Sequence, residues 1–308
     1  MGSPEFAVPC LRALGDHHEV VLAVSQPDKP AGRGAQLAAP AVKLAAQALG
    51  VPVIQPRSAR TGELRDALLR SGAELAVVVA YGKILPVPVL EALPRGCINV
   101  HASLLPSYRG AAPVQWAVIR GETETGVSIM QLDEGMDTGP VLLERRLAIE
   151  PAETAGELLA RLAPIGAQAL IDALTLIATG AARPVAQDHA RASHAPMLAK
   201  LDGAIDFAQP AAAVAARIRG VDPWPGAQAT LRGQLVKLFR AQPSAATGAA
   251  PAGTVLAIDA SGAHVAAGDG AVVIRELQAA GRKRMTAAQF AAGRAIAAGD
   301  VLARPEPA

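Results

Sequence analysis

Residues 96–110 read GCINVHASLLPSYRG, a short apolar strand that ends in polar side chains and runs into a turn-rich loop. Because side chains alternate along a strand, Asn99 and His101 are expected on the same face. They pair a neutral amide donor with the one side chain whose charge changes near neutral pH. In open α/β sheets, ligands bind at the carboxyl ends of strands. The stretch therefore predicts such a sheet and a functional site at its edge.

A second polar loop follows at residues 133–139, DEGMDTG, where the mixture of acids and glycines predicts a tight turn. Its Asp137 would complete a set with Asn99 and His101: an oxyanion donor, an acid/base group and a carboxylate that orients it. A structural interpretation stays open here, because a histidine at a strand end is often only a core residue and Asp137 can stabilise its own turn. Glu134 is interpreted as a solvated loop acid.

Strand and helix patterns alternate through the first 182 residues. Residues 75–80, LAVVVA, form the continuous apolar run expected of a parallel strand covered on both faces. Further strands are predicted at 20–24, 51–54, 97–100, 126–132 and 141–149. Helices are predicted at 8–16, 40–50, 61–72 (with Thr61 as N-cap), 112–120, 154–162 and 165–179. The alternation predicts an α/β fold whose first domain, residues 1–182, holds a doubly wound, mostly parallel sheet.

Two segments lack a regular pattern. Residues 26–34, QPDKPAGRG, are too rich in proline and glycine for regular structure, which predicts a long loop of a kind that is often functional. Residues 183–201 show neither apolar period and contain two prolines, so we interpret them as a linker.

The pattern changes in residues 202–308, the predicted second domain. A helix at 208–219 is followed by five short strand patterns separated by glycine turns, at 227–231, 235–241, 253–258, 263–267 and 271–277. Their spacing predicts a smaller β-barrel of the OB type. The stretch 243–252 is predicted to be a flexible hairpin tip. Arg282, Lys283 and Arg284 form a basic cluster, interpreted either as a solvated turn or as a contact to RNA phosphates.

Composition sets wider limits. At 308 residues the chain exceeds the usual size of one domain, which favours two. No run of 18 apolar residues lacks a charge, so we expect a globular protein without a membrane span. The net charge of +2 neither requires nor excludes a nucleic-acid partner. No signal-peptide pattern opens the sequence, and we therefore expect a cytoplasmic location.

Several common sites have no motif in this sequence. Cys10 and Cys97 lack the spacing of a metal site or disulfide, and Cys97 is expected to be an inert buried thiol. The six histidines are scattered, so we predict no metal site. No GxGxxG follows a strand, and GxSxG and GxxxxGK are absent. Dinucleotide-binding, ordinary hydrolase and P-loop functions are therefore disfavoured.

The motifs NVHASLLPSYRGAAP at 99–113 and MDTG at 136–139 resemble the active-site signature of the folate-dependent formyltransferases. This core would also fit the members that act on glycinamide ribonucleotide or amino sugars. Further segments resemble only the branch that formylates initiator methionyl-tRNA. They lie at residues 2–7, 26–34, 77–82, 126–130, 223–225, 268–270 and 283–285.

The resemblance implies transfer of a formyl group from 10-formyltetrahydrofolate to the α-amine of methionine on initiator tRNA, with no metal. It implies catalytic roles for Asn99, His101 and Asp137. The folate contacts that it implies are Ser103, Leu104, Leu105, Pro106, Val79, Ala80, Tyr81 and Leu85. The implied tRNA contacts, to phosphates rather than bases, are Arg33 and the second-domain residues Arg282, Lys283 and Arg284. We expect a monomer.

The sequence departs from this family at two places. Residues 35–37 after Arg33 are neutral where members often carry lysines. Members also begin with a hydrophobic strand before the turn at residues 2–4, and the present sequence starts at what resembles the last residue of that strand. We therefore interpret the first strand of the sheet as missing from this sequence, through a start placed too far downstream or a truncation rather than natural variation. Two alternatives stay open: an amino-sugar formyltransferase, and a non-catalytic RNA-binding relative with the same fold.

Overall fold

A computed structural model describes residues 1–31, 36–244 and 250–306 of the chain. They form two compact units. The first comprises Met1–Pro113, Thr125–Leu147 and Leu159–Ala195, and the second comprises Val114–Glu124, Ala148–Leu158 and the chain from Pro196 onward. The helices are α1 (Val8–His17), α2 (Ala41–Ala48), α3 (Glu63–Ser71), α4 (Val87–Leu90), α5 (Pro113–Ile119), α6 (Ala155–Ala178), α7 (Ala211–Gly220) and α8 (Ala287–Ala292).

The first unit is built on short strands with helices between them. They are β1 (Ala23–Val24), β2 (Lys29–Ala31), β3 (Gln36–Ala38), β4 (Val53–Ile54), β5 (Ala76–Val78), β6 (Cys97–His101), β7 (Glu124–Gln131) and β8 (Val141–Ala148). Strand β1 pairs in parallel with β4, and β5 pairs in parallel with β6. The order β5-β6-β7-β8 continues the second sheet, in which β6 and β7 are antiparallel. The predicted α/β class with a mostly parallel sheet is confirmed.

Strand β6 lies at the centre of this sheet. All five of its residues are buried, which explains its apolar sequence and places its polar side chains in a dry environment. On one side Val78 of β5 is paired with Asn99, and on the other Ser128 of β7 is paired with His101. The end of β6 is therefore held from both sides before the chain enters the loop after His101.

Helix α3 shows how apolar spacing places a helix on the core. Leu64 and Leu68, one helical turn apart, are buried in a cluster that includes Tyr81. The predicted N-cap, Thr61, was wrong, because the helix begins after Gly62 at φ 81°. The Thr61 hydroxyl instead donates a hydrogen bond to the carbonyl of Ser58.

Helix α6 is continuous where two helices were predicted, although Pro164 lies inside it. Its start is fixed by a reciprocal pair: the Glu157 amide donates to Thr154 Oγ1, and the Thr154 amide donates to the Glu157 carboxylate. An apolar face that includes Leu162 and Leu170 runs on both sides of the proline, and its burial outweighs the loss of one backbone hydrogen bond. By length and composition alone this 24-residue helix could also cross a membrane.

The segment predicted to be an irregular loop contains an antiparallel pair instead. Strands β2 and β3 form a hairpin in which Lys29 pairs with Ala38. Ahead of it, hydrogen bonds from Lys43 and Gln55 hold the pKa of Asp28 below its usual value. Arg33, the predicted tRNA contact, lies outside the described residues.

The second unit confirms the predicted run of short strands. It contains β9 (Ala227–Leu231), β10 (Gln234–Ser244), β11 (Val255–Asp259), β12 (Gly262–Ala267), β13 (Gly270–Ala279), β14 (Met285–Thr286) and β15 (Leu302–Ala303). The sheet order is β11-β12-β13-β10-β9-β15, with β14 added at β13 and antiparallel pairing throughout. This curled antiparallel sheet agrees with the barrel-like domain that was predicted. Residues 245–249, half of the predicted hairpin tip at 243–252, lie outside the described residues, and the tip begins later than predicted because β10 runs to Ser244.

The segment predicted to be a linker is packed rather than free in its first part. Val185 exchanges backbone hydrogen bonds with Val141, and residue 194 bridges to Arg109. Residues 183–195 thus belong to the first unit. The division into domains at 1–182, 183–201 and 202–308 stays a prediction.

A cavity of about 460 Å³ lies in the first unit beside residues 1–2. It is lined mainly by apolar side chains and backbone of residues 18–24 and 71–77. Gly2 donates its amide to the Val24 carbonyl and bridges in parallel to Val79, while the Met1 ammonium donates to the Val77 carbonyl at 2.6 Å. Burial lowers the pKa of that ammonium to about 6.

Both cysteines are buried free thiols. Burial raises the pKa of Cys10 to about 12 and that of Cys97 to about 11, which keeps both neutral at physiological pH. The interpretation of Cys97 as an inert thiol agrees with this environment.

Two leucines of α3 provide a matched test of the core. Leu64 is fully buried, whereas Leu69 is 50% exposed. We expect Leu64→Ala to lower the free energy of unfolding by about 2–5 kcal/mol, because it removes buried methyl groups and leaves a cavity. Leu69→Ala should change it by less than about 0.5 kcal/mol. Urea unfolding measures both, and equal effects would contradict this assignment of the core face.

Candidate active site

The end of β6 carries the first two predicted catalytic side chains. Asn99 and His101 are two residues apart in an extended strand, so they lie on one face, and both are buried. An amide at the end of this strand can donate a hydrogen bond to a substrate oxygen.

The imidazole of His101 is held through both ring nitrogens. Its Nε2 lies 2.9 Å from the carbonyl oxygen of Tyr108. A carbonyl can only accept, so Nε2 carries a proton and donates it. Nδ1 lies 3.6 Å from Oδ2 of Asp137. The ring is therefore oriented by Tyr108 and presents its second nitrogen beside a carboxylate, where a further proton can be held.

Asp137 reaches the histidine from the second polar loop. Its backbone has φ 54°, an uncommon conformation for a residue other than glycine. Its Oδ2 accepts the amide N–H of Gly110 at 2.8 Å. The loop is closed by Asp133, whose carboxylate accepts hydrogen bonds from the Gly135 amide and the Thr138 hydroxyl. Glu134 is exposed, as its interpretation as a solvated acid requires.

Gly110 is required by its surroundings. It has φ 119°, and a Cβ atom at this position would lie 2.7 Å from the carbonyl oxygen of Ala195. The same glycine supplies the amide that binds the Asp137 carboxylate. Only glycine allows this close approach while the amide points at the carboxylate.

The segment predicted to contact folate after His101 forms a compact turn. Ser103 is buried, and its hydroxyl donates to the carbonyl of Ser107. The amide of Ser107 donates to the carbonyl of Leu104. The Leu105 amide donates to Ser128 Oγ, and the Pro106 carbonyl accepts from Ser193. These contacts fix the backbone of the turn directly beyond the catalytic strand.

The other predicted folate contacts follow β5, the neighbouring parallel strand. Val79 is buried, and Tyr81 and Leu85 belong to the hydrophobic core cluster. Ala80 is exposed, with φ 47°. Ala80 is therefore the only one of these four residues with an exposed surface, whereas Val79, Tyr81 and Leu85 are enclosed.

The three basic residues predicted to contact tRNA differ in their surroundings. Arg282 and Lys283 are exposed in the turn between β13 and β14. Arg284 is tied to the second unit itself: it pairs with the carboxylate of Glu276 and lies 4.0 Å over the ring of Phe239. All three residues are exposed, and Arg284 differs from the other two in that its charge is paired with a carboxylate.

Two further residues of this site were missed by the sequence analysis. Arg109 is buried and donates to the side-chain oxygen of Gln187. Gln187 in turn donates to the carbonyls of Asp137 and Gly139. Arg109 stood within the quoted motif, and its position before a glycine was the available signal. Gln187 stands alone in a segment without a period, so no local pattern marks it.

No group of three or more histidine, cysteine, aspartate or glutamate side chains within residues 1–31, 36–244 and 250–306 could hold a metal ion. The ring of His101 is instead occupied by a carbonyl and a carboxylate. The arrangement is suited to stabilising an oxyanion and moving a proton.

Comparison with known proteins agrees with this chemistry. The formyl transferase family model matches residues 2–174, and the formyl transferase C-terminal domain matches residues 197–295. A methionyl-tRNA formyltransferase of Desulfotalea psychrophila is 48% identical over 303 residues, which are 98% of this chain and 94% of that protein. One of Sorangium cellulosum is 48% identical over 305 residues, 98% of each chain.

A solved structure with the same fold is an N-formyltransferase from Helicobacter canadensis in complex with folinic acid and dTDP-3-aminofucose. It has a TM-score of 0.66 and 16% identity, and the match covers 92% of this chain and 97% of that one. At this identity it shows the fold alone. The two matching domains and the near full-length relatives show that this chain belongs to the formyl transferase family.

Proposed function

We infer that this chain transfers a formyl group from 10-formyltetrahydrofolate to the α-amino group of methionine on initiator methionyl-tRNA. The observation that carries this function is the 48% identity to methionyl-tRNA formyltransferases over 98% of the chain. Asn99 and His101 on one strand, with Asp137 beside the His101 ring, supply chemistry of the required kind. The sugar N-formyltransferase neighbours share only 16% identity, which does not favour an amino-sugar substrate.

The hydrogen-bond donor that the site offers, the Asn99 amide, suits the oxygen of a formyl group. 10-Formyltetrahydrofolate supplies, when bound, an activated formyl group on N10, so that one C–N bond breaks as the new amide forms. The Asn99 amide donates to the formyl oxygen as negative charge develops there. Because this amide is buried, its hydrogen bond is stronger than it would be in water.

Proton transfer falls to His101 and Asp137. The attacking ammonium of methionine must lose one proton before its nitrogen can attack and a second as the amide forms, while N10 of the departing tetrahydrofolate takes up one. With Nε2 donating to Tyr108, the Nδ1 atom of His101 is placed to accept one beside the Asp137 carboxylate. The carboxylate stabilises the resulting imidazolium, and the Gly110 amide keeps that carboxylate in place.

The folate pocket in this proposal follows the carboxyl ends of β5 and β6. Ala80 is exposed there, and the enclosed Val79, Tyr81 and Leu85 would form the apolar wall behind it. The turn formed by Ser103, Leu104, Leu105 and Pro106 lies directly after His101. Ligand binding at the carboxyl ends of neighbouring strands is the usual arrangement in this class of sheet.

The tRNA contacts in this proposal are electrostatic. The exposed Arg282 and Lys283 would bind phosphates of the acceptor arm, and Arg284, also exposed but paired with Glu276, would hold their turn in place. Arg33 is proposed as a contact to the acceptor end. We propose a cytoplasmic location, because translation initiation takes place there, and we propose that the protein is a monomer.

Substitutions of Asp137 and Asn99 test the proposed catalytic residues. We expect Asp137→Asn to lower the rate of single-turnover formylation of methionyl initiator tRNA by at least about 100-fold, since the imidazolium loses its counter-charge. Asn99→Ala should cost about 10²–10³-fold through loss of the oxyanion donor. The measurement separates formylated from unformylated methionyl-tRNA after rapid mixing.

The matched control is Glu134→Gln, the same chemical change at an exposed position of the same loop, which should leave the rate unchanged. Equal effects of Asp137→Asn and Glu134→Gln would contradict the assignment of the site. An inactive wild-type chain that still binds tRNA would favour the non-catalytic relative over the proposed function.

Salt dependence tests the basic turn. The double variant Arg282→Ala/Lys283→Ala should weaken tRNA binding and reduce the slope of log affinity against log salt by about 1–2, because each phosphate contact releases counterions. Arg284→Gln should change the slope less, since Glu276 already pairs that charge. Fluorescence anisotropy with labelled initiator tRNA over a range of KCl concentrations gives these slopes.

Arg70→Ala is the control, because this exposed arginine on α3 has no proposed role. A double variant with the slope of Arg70→Ala would show that the turn makes no phosphate contact.

A further inference from the structure

The side chain of Gln187 joins two loops of the active site. Its Oε1 accepts hydrogen bonds from Nε and Nη2 of Arg109, at 3.1 and 2.7 Å. Its Nε2 donates to the carbonyl oxygens of Asp137 and Gly139, at 2.8 and 2.7 Å. Both acceptor positions and both donor positions of the amide are therefore used.

The orientation of this amide is determined by its partners. A guanidinium can only donate, and a backbone carbonyl can only accept. A rotated amide would place its NH₂ group against Arg109 and its oxygen against two carbonyls. Gln187 and Arg109 are 8% and 5% exposed, so water cannot readily replace a lost partner. The side chain is thus locked in one position.

What the amide holds is the backbone that carries the reactive carboxylate. Asp137 has an uncommon positive φ, and such a conformation persists only when its surroundings determine it. The Asp137 carbonyl is bound by Gln187, while its carboxylate faces His101 and accepts from Gly110. Gly139 is held as well, at a point where a Cβ would collide with the Gln131 carbonyl.

Arg109, the hydrogen-bond partner of Gln187, connects this amide to the residues that hold the other side of the His101 imidazole. Arg109 follows Tyr108, whose carbonyl binds His101 Nε2, and precedes Gly110, whose amide binds Asp137. The Arg109 backbone is itself paired with Ser193 and Ala195. Residues on both sides of the His101 ring therefore meet at the Arg109–Gln187 hydrogen bonds.

We propose that Gln187 is a positioning residue for formyl transfer, an inference that rests on the proposed function. Its amide fixes the 137–139 backbone against the buried Arg109 and so keeps the Asp137 carboxylate beside His101. It touches no substrate. Its effect is on the chemical step rather than on the binding of folate or tRNA.

Two substitutions separate this role from simple pairing of a buried arginine. Gln187→Glu keeps oxygen acceptors for Arg109 but has no donor for the carbonyls of Asp137 and Gly139. Gln187→Leu loses both sets of contacts. We expect each to lower kcat for formylation by about 10–100-fold, with KM for both substrates within about twofold. Gln168→Leu, at an exposed glutamine of α6 that bonds only Asp172, is the control and should be unchanged.

The Glu variant decides between the two roles. Wild-type kcat in Gln187→Glu would show that pairing Arg109 is all that the residue does, and the proposal would be overturned. Thermal unfolding is measured alongside, and if Gln187→Leu does not fold, the Glu variant still gives the answer.

A double-mutant cycle tests the connection to Asp137. If Gln187 acts through this carboxylate, adding Gln187→Glu to Asp137→Asn should lower kcat by less than about threefold further. Effects that multiply in full would show that Gln187 acts independently of Asp137, which overturns the proposal.

Hydrogen exchange of the Gly110 amide provides a readout without turnover. This N–H is bound by the Asp137 carboxylate, so its exchange should accelerate at least about tenfold in Gln187→Glu, while amides of β6 keep their wild-type rates. Unchanged exchange at Gly110 would overturn the proposal. An inactive wild-type chain that shows the exchange difference would contradict the proposed function alone.

Discussion

The imidazole of His101 must be held at both nitrogens, and much of the first unit is arranged to meet that constraint. The ring projects from the end of a buried strand, where solvent cannot orient it. One nitrogen is bound by the Tyr108 carbonyl and the other faces the Asp137 carboxylate. These groups come from two loops that are distant in sequence. The strand supplies the position, and the loops supply the orientation.

Both loops depend on polar groups that are themselves buried. A buried guanidinium is costly unless it is hydrogen-bonded, and Arg109 meets this requirement through Gln187 and His189. The resulting network lies behind the catalytic residues. Removing one member leaves its partner unsatisfied in a dry environment, so these residues depend on one another. The conformation of Asp137, unfavourable by itself, is retained because this network surrounds it.

Local patterns in the sequence predicted the parts of this structure that depend on local physics. The apolar run of β5, the buried β6 and the five barrel strands follow from side-chain alternation and glycine turns. The break expected near Pro164 was wrong, because burial of the surrounding helix outweighs one lost hydrogen bond. The hairpin of β2 and β3 was hidden by its proline and glycine content. Gln187 could not be found, since its partners lie about 50 and 80 residues away and leave no local pattern.

Because residues 183–195 are distant in sequence from the loops that they contact, the candidate site can open without unfolding of the sheet. Residues 183–195 contribute side chains and a bridging strand segment to the catalytic loops but add no strand to the central sheet. Their release would leave the paired strands β5 to β8 intact while removing the contacts that hold Asp137 and Tyr108. Local opening of this kind requires less free energy than global unfolding. Formylating activity should therefore be lost before the sheet unfolds, because residues 183–195, predicted to be a linker, hold the loops of the candidate site.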